Sequence, residues 1–219
     1  MAKTILSASQ AKILEAISKD AGLCNFFYLT GGTALAEFYL RHRSSEDLDF
    51  FSEQEFEVQA INVFFRKNKK ALGIKKIDYQ QSFNRNLFFL HLAKDVIKTE
   101  FTYFPFTRIG RPVIKNSLKI DSLIDIAVNK IFTIYQKPRS RDFIDLYFIN
   151  KKTGWKTDDL IKKARIKFDF HIDLLQLGSQ FLLSKSVKDY PFMKVKTNNK
   201  EWQNYFISEA KKLESKILK

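Results

Sequence analysis

Apolar side chains at Ile13, Leu14 and Ile17, behind Ser7 or Ser9 as cap, give residues 9 to 19 the 3.6-residue rhythm of a helix. Asn25 to Thr30 is a short apolar and aromatic run between Gly22 and the pair Gly31 and Gly32, which predicts a buried strand closed by a tight turn. Thr33 to His42 returns to helical spacing, and Asp47 to Phe51 alternates acidic with apolar residues as a strand does. A further helix is expected over 53 to 68. Strands are expected at 74 to 79, 87 to 92 and 96 to 103, all rich in β-branched and aromatic residues.

Beyond Pro112 the rhythm changes. Residues 120 to 136 set Ile124, Ala127, Val128, Ile131 and Tyr135 on one helical stripe, and further helices are expected at 141 to 150, 157 to 168, 172 to 184 and 200 to 217. The pattern predicts an α/β (α+β) protein: a mixed sheet with flanking helices over residues 1 to 118, then a helical part over 119 to 219.

Composition narrows the class. With 219 residues, 45% of them hydrophobic, the chain can build a packed core, and only seven glycines and four prolines leave little room for linkers. Its 22 phenylalanines fall mostly at periodic apolar positions, which assigns them to core packing rather than base stacking. A single cysteine, Cys24, excludes an internal disulfide, and with three scattered histidines (His42, His91, His171) it does not match a zinc site; none of the histidines is assigned catalysis. No apolar stretch is long enough to span a membrane, so a cytoplasmic protein is expected. The formal charge of +14, with clusters such as Arg66 to Lys70 and Lys162 to Arg165, attracts polyanions, although a lysine-rich surface also serves solubility alone.

The chemistry concentrates in two short motifs. Gly31 and Gly32 at a strand-to-helix turn permit close backbone approach, and the N–H groups there, with the Thr33 hydroxyl, can hold phosphate oxygens. Asp47 and Asp49, two apart on a strand, point to one face while Leu48 and Phe50 point to the core. Two convergent carboxylates suit Mg²⁺ or Mn²⁺, which also take phosphate oxygens of a nucleoside triphosphate. On the strand over 96 to 103, Glu100 can face the pair as a third ligand or base; an edge position facing solvent is the alternative.

The GGT turn, an intervening helix and DLDFF resemble the nucleotidyltransferase signature of the DNA polymerase β superfamily. With Arg43 to Phe51 and the later Arg141 to Tyr147 (RDFIDLY), the chain resembles more narrowly the AbiEii/AbiGii toxin family, over roughly residues 25 to 150. That resemblance implies nucleotide-binding roles for Gly31, Gly32, Thr33, Arg43, Ser45, Lys130, Asp142 and Asp145, and catalytic roles for Asp47, Asp49, Glu100 and Lys130. Thr133 and Lys137 stand where the family usually has a small residue and an arginine. Read from the residues alone, Lys130 is also compatible with a lysine snorkelling at a helix edge, and Asp145 with an intrahelical pair to Arg141.

The resemblance further implies transfer of NMP from an NTP to an acceptor by the toxin of a toxin–antitoxin or abortive-infection system with a cognate antitoxin, and the basic surface makes RNA, in particular the tRNA 3′ end, a reasonable acceptor. Its rivals are an inactive module of the same fold that binds RNA or a protein, and a transferase acting on a protein or a small molecule.

Overall fold

The computed structural model describes residues 4–217, which divide into two compact units. The first runs through Tyr39 and resumes over Ser45–Ser122; the second comprises Leu40–Ser44 and the chain from Leu123 onward.

The first unit opens with α1 (Ala8–Ser18). Ser7 accepts a hydrogen bond from the Gln10 amide while the Gln10 side chain accepts from Ser7, a reciprocal cap. A short helix, α2 (Ala21–Phe26), follows, capped by the Asp20 carboxylate on the Leu23 amide. Asn25 and Phe26 therefore belong to a helix and not to the expected strand, which is reduced to β1 (Tyr28–Thr30). The chain continues as α3 (Gly31–Leu35) and a π-helical turn over Ala36–Leu40. Next come β2 (Leu48–Ser52), α4 (Val58–Leu72), β3 (Lys76–Ser82), β4 (Arg85–His91) and β5 (Val96–Tyr103). Two three-residue strands, β6 (Val113–Lys115) and β7 (Leu118–Ile120), complete the unit.

These strands form one mixed sheet in the order β3-β4-β5-β2-β1-β7-β6. β2 runs parallel to β5 and β1 parallel to β7, while the other neighbours are antiparallel. Strand alternation gives the sheet two unlike faces. Leu29, Leu48, Phe50, Phe88, Leu90, Phe101 and Ile120 are buried on one, where Phe65 of α4 lies with its ring centroid 5.3 Å from that of Phe88. Asp49, Lys98, Glu100, Thr102 and Arg85 share the other through their register.

The second unit is helical: α5 (Leu123–Gln136), α6 (Ser140–Thr153), α7 (Thr157–Phe168), α8 (Leu174–Leu182) and α9 (Asn199–Ile217). Helix α5 packs against α6, α7 and α8, and α9 closes on α6 and α8. Phe143, Phe181, Trp202 and Phe206 are fully buried at that junction, the Phe143 and Phe206 rings 4.8 Å apart. Burying such rings stabilises the packing by about 2–3 kcal/mol each. A fully enclosed ion pair, Lys167 with Asp125 at 2.7 Å, joins α7 to α5.

Candidate active site

In the sheet unit the two motifs meet across β1 and β2, where Thr30 pairs with Asp49. Asp47 stands just before β2, and from Asp47 to Ser52 half-buried residues alternate with buried ones, so Leu48 and Phe50 enter the core while both carboxylates stay on the polar face. Gly31 is held at φ +72°, and a Cβ added there would collide with the Asp49 carboxylate, lying 3.2 Å from its Cγ. A residue without a side chain is thus required for Asp49 to lie against the turn.

Thr33 is fully buried and its hydroxyl donates to the Asp47 carbonyl, so it fixes the Asp47 loop instead of offering its hydroxyl to a phosphate. The Ser45 carbonyl accepts from the Gln10 side chain at 2.8 Å, an anchor of the same loop. Asp121, which the sequence did not single out, is fully buried at the end of β7; it accepts the Thr30 hydroxyl at 2.6 Å, and its carbonyl accepts from the Tyr39 hydroxyl. These bonds set the entry to the glycine turn.

The register of parallel strands β2 and β5 puts Glu100 beside Asp49. Its two oxygens, however, accept from Arg85 Nε and Nη2 at 2.7 and 2.6 Å, and one also accepts from Thr102. Burial pushes the Glu100 carboxyl up, but Arg85, Thr102 and Lys98 together outweigh it and hold it below its ordinary value. The bond to Glu100 in turn raises Arg85. A carboxylate so engaged is a poor proton acceptor, which argues against Glu100 as base. Lys98 Nζ binds Asp47 Oδ2 at 2.9 Å and lies 3.8 Å from Glu100. Among the described residues no group of three or more His, Cys, Asp and Glu side chains is arranged to hold a metal ion, and Glu100 is instead engaged by Arg85. The pair Asp47 and Asp49 fits a divalent cation that keeps waters and takes its other ligands from a substrate's phosphates.

A second cluster lies within the helical unit. Lys130 Nζ binds Asp142 and Asp145 at 2.7 Å each. Asp145, fully enclosed, also accepts Arg43 Nε and Nη2 at 2.7 and 2.8 Å and contacts His42 Nε2 at 2.8 Å. The intrahelical pair with Arg141 that the spacing also allowed gives way to these partners from elsewhere in the unit, Asp145 being fully buried. Arg139 reaches Asp142 at 2.9 Å. Burial pushes both carboxyls up; Arg43 and Lys130 nevertheless hold Asp145 well below its ordinary value, and Lys130 and Arg139 hold Asp142 below its own. Arg43, Lys130 and Arg139 thus gather around the two carboxylates. Arg43, Lys130, Asp142 and Asp145 therefore assemble in the helical unit, while Gly31, Gly32, Thr33, Asp47, Asp49 and Glu100 belong to the sheet unit.

This mixed sheet, with a glycine turn set against a paired-aspartate strand, defines a nucleotidyltransferase. The chain belongs to a named group of them: residues 12–213 match the family described as nucleotidyl transferase AbiEii toxin, of type IV toxin–antitoxin systems. An uncharacterized protein of Aquifex aeolicus is 33% identical, the match covering 76% of this chain and 79% of the relative. Two crystal structures from Helicobacter pylori share the fold at 18% identity. One, described as a candidate nucleotidyltransferase, superposes with a TM-score of 0.63 over 96% of this chain and 97% of its own. The other, JHP933, gives 0.61 over 96% and 94%. Among the described residues no helix is long and apolar enough to cross a membrane. Membership in this family implies an NTP substrate and an antitoxin.

Proposed function

We propose that the protein transfers NMP from a nucleoside triphosphate to the 3′ end of an RNA, in particular tRNA, using a divalent cation held by Asp47 and Asp49. The observation that carries this reading is the contact between the glycine turn and Asp49: a carboxylate lies directly against half-buried glycine backbone, an arrangement suited to a divalent cation and a nucleotide's phosphates. The acceptor hydroxyl oxygen attacks the α-phosphorus and gives up its proton to solvent water, the bond between the α-phosphorus and the oxygen bridging to the β-phosphorus breaks, and pyrophosphate leaves with that electron pair. A bound Mg²⁺ or Mn²⁺ supplies Lewis-acid neutralisation of charge on the phosphoryl and leaving oxygens.

The protein's own residues orient and neutralise. Gly31 and Gly32 let the backbone approach the phosphates, Thr33 and Ser45 hold the Asp47 loop, and Glu100 keeps Arg85 on the carboxylate face. Lys130, Arg43 and Arg139, fixed by Asp142 and Asp145, form a cationic cluster suited to phosphate oxygens. The formal charge of +14 favours a polyanionic acceptor over a small molecule, and a toxin that caps tRNA ends would stop translation in the cytoplasm.

The test is incubation of the protein and its Asp49→Ala variant with Mg²⁺, each α-³²P-labelled NTP in turn and total bacterial tRNA. Label on tRNA that requires Asp49 and one NTP supports the proposal. Label on a protein of the lysate instead, again requiring Asp49, would reassign the acceptor; no label on either would reject transfer to a macromolecule.

A further inference from the structure

The stretch from Lys185 to Lys200 (KSVKDYPFMKVKTNNK) leads from the end of α8 into the first residues of α9. It carries five lysines against one acid, Asp189. Its middle is tightly fastened. The Asp189 carboxylate accepts the Ser140 amide at 2.8 Å, and the Asp189 carbonyl accepts the Ser140 hydroxyl. The Phe192 carbonyl accepts the Ser44 amide at 2.9 Å, Met193 bridges Arg43, and the Lys194 and Val195 amides both donate to the His42 carbonyl. The backbone is therefore held by the N-terminal residue of α6 and by the segment carrying Arg43.

A fastened backbone fixes which side chains point outward. Pro191 and Met193 are half-buried, and the residues between and beside them face solvent: Tyr190 is 46% and Phe192 71% exposed, followed by exposed Lys194 and Lys196. Lys194 Nζ sits 4.8 Å from the Phe192 ring centroid. Tyr190 and Phe192 stand two residues apart on either side of Pro191, so both rings lie close together along the chain. The Tyr190 ring leans edge-on against buried Trp202, 6.4 Å between centroids, and leaves nearly half of its surface open, while Phe192 stands mostly in solvent; the lysines around them disfavour a second cationic or purely apolar surface. Aromatic platforms set among phosphate-binding cations are the arrangement that holds unstacked bases of a single strand.

We infer that Lys188, Tyr190, Phe192, Lys194 and Lys196 form a binding surface for single-stranded RNA, with bases stacking on Phe192 and Tyr190 and the lysines contacting the phosphates. This rests on the RNA-acceptor reading above and deepens it by naming where the acceptor strand is held. The aromatic rings give the preference for a single strand, whose bases are free to stack, over a duplex. The lysines give affinity without sequence preference.

The experiment is fluorescence anisotropy of a short labelled single-stranded RNA and of the same RNA as a duplex, with the full-length protein, Tyr190→Ala/Phe192→Ala and Lys188→Glu/Lys194→Glu/Lys196→Glu, each checked for an unchanged melting curve. The aromatic double variant is expected to lose roughly tenfold in single-strand affinity while its duplex affinity stays the same. The lysine variant is expected to weaken both and to flatten the salt dependence of single-strand binding by about 2 in the log–log slope. Single-strand affinity within twofold of the parent in both variants would overturn the surface. NMP transfer to tRNA is read in parallel. If the parent labels no RNA but the variants lose binding, the surface stands and the acceptor reading falls. If RNA is labelled equally by parent and variants, the surface falls and the acceptor reading stands.

Discussion

Gly31 and Asp49 are in such close contact that a single methyl group on the first would strike the carboxylate of the second, with Asp49 Cγ only 3.2 Å and Cβ 3.3 Å from it. The same glycine holds φ +72°, a conformation that costs a residue with a side chain about 1 kcal/mol or more. Gly31→Ala is therefore expected to displace Asp49 and to destabilise the protein by about 1–3 kcal/mol. Nucleotide transfer should fall at least about a hundredfold, because misplacing a reacting geometry by about an ångström costs that much. Gly73, also at positive φ but with open space around it, is the control: Gly73→Ala should cost stability without touching turnover. Equal loss of activity in both variants would refute a special role for the Gly31 contact.

Lys98 places its ammonium 2.9 Å from Asp47 Oδ2, on the carboxylate proposed to hold the divalent ion. A fixed cation there opposes a second one. Lys98→Met is expected to tighten Mn²⁺ binding about tenfold, well short of the full Coulomb energy at this separation because both groups are partly exposed to water. Electron paramagnetic resonance of free Mn²⁺ during titration reads the affinity directly, without turnover. Unchanged or weaker binding would show that Lys98 leaves Asp47 without cost when the ion arrives.

How much of this was legible beforehand differs from element to element. The strand at 96–103 and the helix at 157–168 agree to the residue, because each carries a long and unbroken period. The alternation around Asp47 and Asp49 placed both acids on the polar face. Asn25 and Phe26 misled because a short apolar run fits either a strand or a buried helix end, and the Asp20 cap decided it. Strands β6 and β7 left no signal: each has three residues, and β7 exists by pairing with β1, some ninety positions earlier. The same distance hid Asp121, whose partner Thr30 is 91 residues away, and the joining of Arg43 to Asp145, 102 apart. The tail after residue 151 carried no recognisable motif, yet the family match extends through residue 213. Many of the phenylalanines assigned to the core are buried there, but Phe26, Phe83, Phe170 and Phe192 are exposed, which the pattern of apolar positions did not show.

Asp145 carries a pH dependence with a definite sign. Its native carboxyl lies well below the ordinary 3.8, despite burial, owing to Arg43, Lys130 and His42. A depressed carboxyl stabilises the fold at all pH above its ordinary value and loses that contribution as the pH falls from there through the native value. Asp145→Asn is expected to cost about 3–5 kcal/mol at neutral pH, because Arg43 and Lys130 lose a buried partner. The gap to the parent protein should narrow below about pH 4. Urea unfolding at neutral pH and in acid measures both; parallel stability curves across the acid range would show that Asp145 is not the source of the dependence.

Lys167 and Asp125 bind at 2.7 Å with neither side chain reaching water, on helices α7 and α5. Removing the ammonium takes a close partner from an enclosed carboxylate, so Lys167→Met is expected to destabilise the protein, by up to about 3–5 kcal/mol. Replacing both, as Lys167→Met/Asp125→Leu, removes the desolvation penalty of both ions and should recover most of that loss. The two single variants and the double variant, unfolded in urea, close a double-mutant cycle whose coupling is expected to exceed about 2 kcal/mol. Tyr190 and Phe192 lie elsewhere in the unit, so RNA affinity of the double variant should match the parent's. A double variant as unstable as the sum of the singles would mean that the pair is not energetically coupled and that each charge is held by other neighbours.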